Sequence, residues 1–145
     1  MSESKYDVLK LENQLCFPLY AAAREVVKRY RPYLDELDLT YTQYITMMVM
    51  WEQKEITVKE LGEALFLDSG TMTPVLKSLE AKGYVKRQRS TADERSVTVI
   101  LTDVGEQIKE KAVDIPSKVA GCVGLNSEEA LQLYGLLYKV LGAQE

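Results

Sequence analysis

The sequence predicts a mainly α-helical protein that contains one small β-hairpin. Apolar residues recur at three- and four-residue steps through most of its 145 residues, which is the spacing of amphipathic helices. The period changes to two over residues 96–101, and residues 84–89 form a second segment of strand length. The polar connection over residues 90–95 is short enough to join these two strands as a hairpin.

Four helices are predicted before the hairpin. The first covers residues 7–37, where Pro18 and Pro32 predict a bent helix or two consecutive ones. The second begins at Thr40 and the third, a short one, at Thr57. Each of these threonines is followed three residues later by glutamine or glutamate, which is the pattern of a capping box.

The fourth helix follows the third after a short turn. Asp68 or Ser69 can cap its N-terminus, and Gly83 marks its end. A helix–turn–helix followed at once by a hairpin is the winged-helix arrangement, in which the second helix of the pair can enter a major groove. This predicted DNA-binding module covers about residues 57–101, so flanking elements must complete its core.

Two further helices are predicted after the hairpin. One covers residues 102–121 with a kink or restart at Pro116, and the last begins near Asn126, with glutamates in its first turn. We expect a single domain over the whole chain. Its helices over about residues 7–37 and 104–143 flank the winged helix and are predicted to pair two chains as dimerisation helices.

Composition excludes several kinds of site. The chain has no histidine, so no imidazole can serve as a base or a ligand. Its two cysteines lie 106 residues apart without a Cys-x-x-Cys pair, which predicts neither a metal site nor an iron–sulfur cluster, and no cofactor motif is present. The longest apolar stretch is too short for a membrane span and the first residues are charged, so we expect a cytoplasmic protein that contacts no membrane.

Positive charge is concentrated around the predicted hairpin. Residues 82–95 carry a net charge of +3, whereas the whole chain carries −4, which leaves −7 elsewhere. Such a patch suits a phosphate backbone, although charges on a hairpin can also serve only to solvate it. The neighbouring helix carries small hydroxyls and a lysine, which favours double-stranded DNA as the partner. The candidate DNA-binding residues are Ser69, Thr71, Thr73, Lys77, Lys86, Arg87, Arg89, Asp93 and Arg95.

The loop of the hairpin holds a candidate for minor-groove contact. Arg95 lies at its far end, where the negative potential of a minor groove would attract the guanidinium. Asp93, two residues earlier, is interpreted as a brace that holds the guanidinium fork of Arg95. The alternative is a pair that only stabilises the turn.

Cys16 is the candidate redox-sensing residue. Tyr20, one helical turn later, can bring a phenol near the sulfur, and a hydroxyl donor stabilises a thiolate. Tyr30 lies about 21 Å from Cys16 along a straight helix, so it could contact only the Cys16 of a second chain whose first helix crosses antiparallel. Without such a dimer, Tyr30 is an aromatic core residue. Cys122 lies among small residues between the last two helices, where a thiol can move to meet an oxidised partner. The alternative for both cysteines is an ordinary buried thiol.

Four segments of the chain resemble one known family: LKLENQLCF (residues 9–17), LTYTQY (39–44), LDSGTMTP (67–74) and DERSV (93–97). They are similar to segments of the MarR-type winged-helix repressors. The wing segment is typical of that family in general, and the segment around the first cysteine resembles its organic-hydroperoxide-sensing OhrR branch. The resemblance implies a homodimer, not an enzyme, that binds a pseudo-palindromic operator and is released by organic hydroperoxide.

The resemblance also implies roles for individual residues. Cys16 would be the peroxide-reacting thiol, contacted by the hydroxyls of Tyr20, of Tyr30 of the partner subunit and of Tyr41. Cys122 resembles the second cysteine of the two-cysteine branch, in which the oxidised sensor closes a disulfide between subunits. One-cysteine relatives instead trap the sulfenic acid with a small thiol, and this alternative stays open.

Two rival functions fit some of the same residues. A repressor of the same fold could be released by a small aromatic or lipophilic ligand, and its thiol count would then not change on release. A thiol peroxidase could use Cys16 to attack and Cys122 to resolve. Such an enzyme would leave the basic hairpin and the hydroxyl-bearing helix without a role.

Overall fold

The computed structural model describes residues 4–93 and 95–142, which form two compact units. One unit extends to Ile115 and contains the helix–turn–helix and the sheet, and the other begins at Pro116. The prediction of a mainly helical fold with a winged helix–turn–helix is confirmed. Among the described residues, no helix combines the length and the apolar character that are needed to cross a membrane.

The segment predicted as a bent first helix divides into three pieces. Two single turns of 3-10 helix, Asp7–Leu9 and Leu11–Asn13, precede α1 (Cys16–Asp35). Pro18 is the third residue of α1. The first four N–H groups of an α-helix have no acceptor within the helix, so the missing N–H of Pro18 costs α1 no hydrogen bond. The interruption therefore falls before α1 rather than at Pro18, and Pro32 lies inside the helix.

The predicted capping box opens α2 (Tyr41–Gln53). Thr40 Oγ1 accepts a hydrogen bond from the backbone N–H of Gln43 at 3.2 Å, and Gln43 Oε1 accepts one from the backbone N–H of Thr40 at 3.1 Å. Near the other end of α2, the buried Trp51 donates its indole N–H to the carbonyl of Gly105 at 2.9 Å. The box sets where α2 begins, and the indole bond ties α2 to the chain that follows the sheet.

The helix–turn–helix consists of α3 (Val58–Leu65) and α4 (Ser69–Ala81). Thr57 Oγ1 caps α3 by accepting the backbone N–H of Glu60 at 3.1 Å, which is one of the two bonds of the predicted capping box. The helix ends at Phe66, whose φ of 57° lies in the left-handed region, which is uncommon for residues other than glycine. This reversal of the backbone lets α4 follow after a turn of three residues.

The predicted hairpin is confirmed as β2 (Val85–Arg89) and β3 (Val97–Leu101), each starting one residue later than predicted. The two strands pair antiparallel, with Arg89 opposite Val97 at the loop end. A third strand, β1 (Glu55–Thr57), pairs antiparallel with the other edge of β3 and gives the order β1-β3-β2. The sequence pattern did not predict β1, because three residues are too few for an alternation to be visible.

The core of the first unit is formed by its helices and the sheet. Along α4, the predicted apolar side is buried at Met72, Leu76 and Leu79 and half-buried at Val75. These residues repeat at three and four positions, so one face of α4 packs inward and the opposite face is exposed. The largest fully buried apolar side chains of the unit are Leu34, Met47, Met50, Leu61, Met72, Leu76, Leu79, Val85 and Val99.

The helix predicted over residues 102–121 is divided into α5 (Asp103–Gln107), α6 (Lys109–Ala112) and α7 (Ile115–Ala120). Pro116 is the second residue of α7, and in the first turn of a helix a missing N–H costs no intrahelical bond. The predicted restart at Pro116 is therefore confirmed to within one residue. The break between α5 and α6 was not predicted.

The last helix, α8 (Ser127–Val140), is capped at its start by Asn126. Asn126 Oδ1 accepts the backbone N–H of Glu129 at 2.9 Å. No side chain of α8 is buried within the described chain, and α1 buries only Leu34. Exposed apolar side chains include Phe17, Leu19 and Tyr20 on α1 and Leu131, Tyr134, Leu136 and Val140 on α8. Exposed apolar faces of this kind are typical of surfaces that another chain covers.

Candidate functional site

Asp68 holds the start of α4. Its Oδ1 accepts the backbone N–H of Thr71 at 2.7 Å, which is the usual bond of an N-cap aspartate. This bond, together with one from the Thr71 hydroxyl, holds the pKa of Asp68 below its ordinary value. The sequence left the cap open between two residues, and the structure places it at Asp68, with Ser69 as the first residue of the helix.

The predicted DNA-contact residues of α4 lie on its exposed face. Ser69, Thr71, Thr73 and Lys77 are all exposed. The hydroxyl of Thr73 donates to the carbonyl of Ser69 at 2.8 Å, and the hydroxyl of Thr71 bonds to Asp68. Because these protons are used within the first turn, the hydroxyl oxygens of the exposed threonines can act as acceptors, which suits the amino groups on base edges in a major groove.

The hairpin presents basic side chains around its loop. Lys86, Arg89 and Arg95 are exposed. Asp93 Oδ1 accepts the backbone N–H of Arg95 at 3.0 Å. This bond stabilises the turn, which is the second of the two interpretations of the pair, and the bracing of the guanidinium fork by Asp93 stays a prediction.

Arg87 differs from the other basic residues of the hairpin because it is half-buried against α4. Glu80 Oε1 accepts from Arg87 Nη2 at 3.0 Å and from Nε at 3.2 Å, and Glu80 Oε2 accepts the backbone N–H of Arg87 at 2.9 Å. The backbone bond first, and then the guanidinium, lower the pKa of Glu80. Arg87 therefore joins the hairpin to α4, and its contact with DNA stays a prediction.

One groove brings the two predicted sets of residues together. It has a volume of about 1110 Å³ and lies between α3, the start of α4 and the hairpin. Ser69 and Thr73 line it from the helix, and Arg87 and Arg95 line it from the hairpin. Residues of α4 and of the hairpin loop thus share one concave surface.

The pair of Glu80 and Arg87 predicts a pH dependence of stability. The pKa of Glu80 is lowered on folding, so its carboxylate contributes stability above the unfolded value of about 4.3 and loses it as pH falls through the lower folded value. Glu80→Gln is expected to reduce the drop in thermal midpoint between about pH 6 and about pH 3, measured by circular dichroism. Arg87→Ala should have a smaller effect, because the backbone bond remains. An unchanged drop in Glu80→Gln would contradict the assignment.

Cys16 is the first residue of α1, and its side chain is exposed. Tyr20 follows one turn later, and its hydroxyl accepts a hydrogen bond from Arg24 Nη1 at 3.4 Å. The guanidinium carbon of Arg24 also lies 5.5 Å from the centre of the Tyr20 ring. Because the phenol oxygen is the acceptor, its proton stays available. Arg24 was not predicted, and its spacing of four residues from Tyr20 was the available signal.

Tyr30, Tyr41 and Tyr44 form a tyrosine cluster between α1 and α2. The ring centre of Tyr30 lies 5.0 Å from that of Tyr41 and 5.7 Å from that of Tyr44. Burial raises the pKa of all three phenols, that of Tyr44 to about 12, and proximity to the other tyrosines adds to the effect at Tyr41 and Tyr44. All three therefore keep their protons at neutral pH. Tyr44 was not predicted, although it lies three residues after Tyr41 on the same helix.

Cys122 is exposed and follows α7 in the second unit. Its thiol donates to the carbonyl of Lys118 at 3.6 Å. Gly124, two residues later, has a φ of 81°, a left-handed conformation that glycine adopts without strain. The exposed thiol beside a glycine turn agrees with the small-residue junction predicted from the sequence.

Metal-ligating side chains are dispersed across the part of the chain that the structure describes. Within residues 4–93 and 95–142, no three cysteine, aspartate or glutamate side chains are grouped so that they could hold an ion. Hydroxyls and arginines gather instead at the groove beside α4, and the phenols of Tyr30, Tyr41 and Tyr44 gather between α1 and α2, whereas the exposed Cys16 begins α1.

These elements define the winged-helix class of regulators: a helix–turn–helix whose second helix exposes hydroxyls, beside a hairpin whose loop carries an arginine. A family model described as the transcriptional regulator SarA/Rot matches residues 28–112. The organic hydroperoxide resistance transcriptional regulator of Bacillus subtilis (strain 168) is 51% identical over 139 residues, which cover 96% of this chain and 95% of that protein. The chain belongs to the SarA/Rot family of MarR-type transcriptional regulators.

Solved structures of AbfR, a protein of Staphylococcus epidermidis, are similar to this chain. Reduced AbfR bound to DNA has a TM-score of 0.76 at 34% identity, covering 96% of this chain and 97% of that chain. The disulfide-formed AbfR has a TM-score of 0.65 at 33% identity, covering 94% and 96%. The resemblance to MarR-type winged-helix regulators is therefore confirmed.

Proposed function

We propose that this regulator is a redox-sensing repressor that binds operator DNA as a homodimer and is released when organic hydroperoxide oxidises Cys16. One observation carries the proposal. An exposed thiol begins α1, and the same helix contributes to a cluster of protonated phenols, in a chain that also holds a DNA-binding module. The identity of 51% to a hydroperoxide resistance regulator supports it.

The DNA partner is double-stranded, and α4 is its recognition helix. The exposed face of α4 suits base edges in a major groove, while Lys86, Arg89 and Arg95 extend the contact to phosphates and an adjacent minor groove. The local charge of +3 on an acidic chain supports this orientation. The solved complexes of AbfR with DNA support the same class of partner.

The exposed apolar faces of α1 and α8 support a homodimer. A second copy of the chain would remove these faces from water, which is favourable in proportion to the apolar area buried. A two-fold dimer presents two recognition helices, so its operator is a pseudo-palindrome with half-sites about 34–36 Å apart. Dimerisation would also allow Tyr30 of the partner subunit to approach Cys16, which its own Tyr30 cannot reach along one helix.

The first chemical step is the oxidation of Cys16. Its thiolate attacks one oxygen of the hydroperoxide, an S–O bond forms and the O–O bond breaks. The alkoxide that leaves takes up a proton and departs as an alcohol, and Cys16 becomes a sulfenic acid. Tyr20, Tyr30 and Tyr41 are the proposed donors of hydrogen bonds to the leaving oxygen, and the raised pKa values of Tyr30 and Tyr41 keep those two phenols protonated at neutral pH.

The second step is condensation with the partner subunit's Cys122. The thiol displaces the hydroxyl of the sulfenic acid, an S–S bond forms and water leaves. The exposure of Cys122 supports this role, as does the existence of a disulfide form of AbfR. A small thiol would do the same chemistry in solution and give a mixed disulfide instead.

The experiment that tests the proposal measures operator binding by fluorescence anisotropy on the DNA upstream of this protein's own gene. One equivalent of tert-butyl hydroperoxide per Cys16 is added, followed by excess dithiothreitol. We expect tight binding that weakens about 5- to 150-fold on oxidation, the usual range of coupling between two sites, and recovers on reduction. Binding that is indifferent to oxidation would contradict the proposal and favour release by a small ligand. Turnover of many equivalents of hydroperoxide would favour a peroxidase.

A further inference from the structure

A polar clasp joins the start of α2 to the last turns of α4. It consists of Gln43 on α2, Ser78 and Lys82 at the end of α4, and Asp38 in the connection between α1 and α2. Gln43 is nearly buried, with 7% of its surface exposed. Its Nε2 donates to Ser78 Oγ at 2.9 Å, and its Oε1 accepts from Lys82 Nζ at 3.0 Å.

Lys82 extends the clasp to the connection between α1 and α2. Its ammonium donates to the backbone carbonyl of Asp38 and lies 3.7 Å from Asp38 Oδ2. Asp38 itself has a φ of 54°, in the left-handed region, so the chain reverses where Lys82 holds it. Lys82, the residue that directly follows α4, therefore binds both Asp38 before α2 and Gln43 in the first turn of α2.

The clasp exceeds what the cap of α2 requires. The capping box needs only Thr40 and Gln43, which already satisfy each other's backbone N–H groups. The bonds from Gln43 to Ser78 and from Lys82 to Gln43 join two side chains, so they satisfy no backbone N–H group at the start of α2. Their effect is to give α2 and α4 a fixed mutual register, because hydrogen bonds are directional whereas apolar contacts are not.

Tyr41 and Tyr44 of the tyrosine cluster lie on the same turn of α2 as Gln43 of the clasp. Gln43 stands between Tyr41 and Tyr44, whose rings pack on Tyr30 of α1. A displacement of these tyrosines moves the first turn of α2. Through the clasp, that movement reaches α4, whose other end carries Ser69, the first residue of the DNA-contact face.

We infer that Gln43, Ser78 and Lys82 are positioning residues that transmit the oxidation of Cys16 from the tyrosine cluster to the recognition helix. The inference rests on the proposed function and adds the route by which the oxidised state weakens DNA binding. Coupling requires an element that differs between two states, and the clasp makes α2 and α4 move as one body. Without these bonds, the register between α2 and α4 depends on their non-directional apolar contacts alone.

The test compares the operator Kd before and after oxidation in the double variant Ser78→Ala/Lys82→Met. This variant removes both α4 partners of Gln43 and leaves the capping box intact, and alanine and methionine are good helix formers. Wild-type protein is expected to lose about 5- to 150-fold in affinity on treatment with tert-butyl hydroperoxide. The Kd of the reduced variant is measured first as its own reference, because Lys82 belongs to the basic patch of residues 82–95. Relative to that reference, we expect the loss of affinity on oxidation to shrink to less than about a third of the wild-type factor.

Two matched variants test whether a weaker response to oxidation comes from loss of the clasp or only from a lost charge or a lower stability. Lys109→Met makes the same change of residue at a surface ion pair with Glu106, where the two charged atoms lie 3.5 Å apart, and should keep the wild-type response. Ser78→Ala alone changes no charge and should give an intermediate response. If Lys82 instead neutralises a phosphate of the DNA, the reduced form of the variant releases about one counterion fewer on binding, which titrations at several salt concentrations would show.

Each outcome decides between the alternatives. A double variant that is released as strongly as wild type overturns the inference and leaves the clasp as a structural bond. If the double variant does not fold, the single variant Ser78→Ala decides in the same way, by a reduced or an unchanged loss on oxidation. If wild-type protein itself is not released by hydroperoxide, the proposed function fails and the inference fails with it, whereas release of both proteins overturns the inference alone.

Discussion

Replacing Cys16 with serine is expected to leave operator binding by the reduced protein unchanged and to abolish its release by hydroperoxide. Serine keeps the size and the exposed position of the side chain at the start of α1, but its hydroxyl does not react with a peroxide as a thiolate does. The Kd of Cys16→Ser should lie within about twofold of wild type and should not rise on oxidation, whereas wild type loses about 5- to 150-fold. Anisotropy titrations before and after tert-butyl hydroperoxide measure both values.

The matched control is Cys122→Ser, which removes the other thiol of the chain. It should still gain one oxygen atom at Cys16, seen by intact mass, but it should form no disulfide-linked chain on a non-reducing gel. Retained release in Cys16→Ser would show that Cys16 is not the sensor. Retained disulfide formation in Cys122→Ser would show that the bond joins two copies of Cys16 instead.

Replacing Arg95 with alanine is expected to weaken operator binding about 5- to 150-fold without changing the fold. Arg95 is exposed on the hairpin loop, and the only bond described for its backbone N–H is that to Asp93, which alanine preserves. The loss therefore reports on the guanidinium. Titrations at several salt concentrations measure the affinity and the number of counterions released.

Two variants sharpen the interpretation of Arg95. Arg95→Lys keeps the charge but loses the planar fork, so it should recover only part of the affinity. Lys111→Ala removes one positive charge from α6, which is not part of the helix–turn–helix or of the hairpin, and should leave the Kd within about twofold of wild type. An Arg95→Ala variant with wild-type affinity would contradict the assignment of the loop to the DNA interface.

Features set by neighbours in the sequence were predicted well. The caps at Thr40 and Thr57 were identified because each bond joins residues three positions apart, so the pattern that creates the bond is visible in the chain. The buried side of α4 followed from periodicity in the same way. The strand β1 was not predicted because its partner β3 lies far along the chain.

The candidate site shows the same division. Exposure of Ser69 and Thr73 could be predicted, since it follows from the helical period. The bond between Glu80 and Arg87 and that between Gln43 and Ser78 could not, because each joins two elements whose relative placement depends on tertiary packing. The bond from the backbone N–H of Arg95 to Asp93 follows from the tendency of an aspartate in a tight loop to bind nearby amides, and the bracing of the Arg95 side chain stays a prediction.

The tyrosine cluster has a consequence for which cellular signals this protein can respond to. Its phenols stay protonated well above neutral pH, and the chain contains no histidine. The carboxylates of Asp68, Glu80 and Glu106 have lowered pKa values, so they stay charged when the surroundings become mildly acidic. None of these shifts brings a tyrosine of the cluster or one of the three carboxylates into the range between about pH 5 and pH 8. Under the proposed function, mild acid would therefore leave the charges of these six groups unchanged, while an oxidant would still act on Cys16.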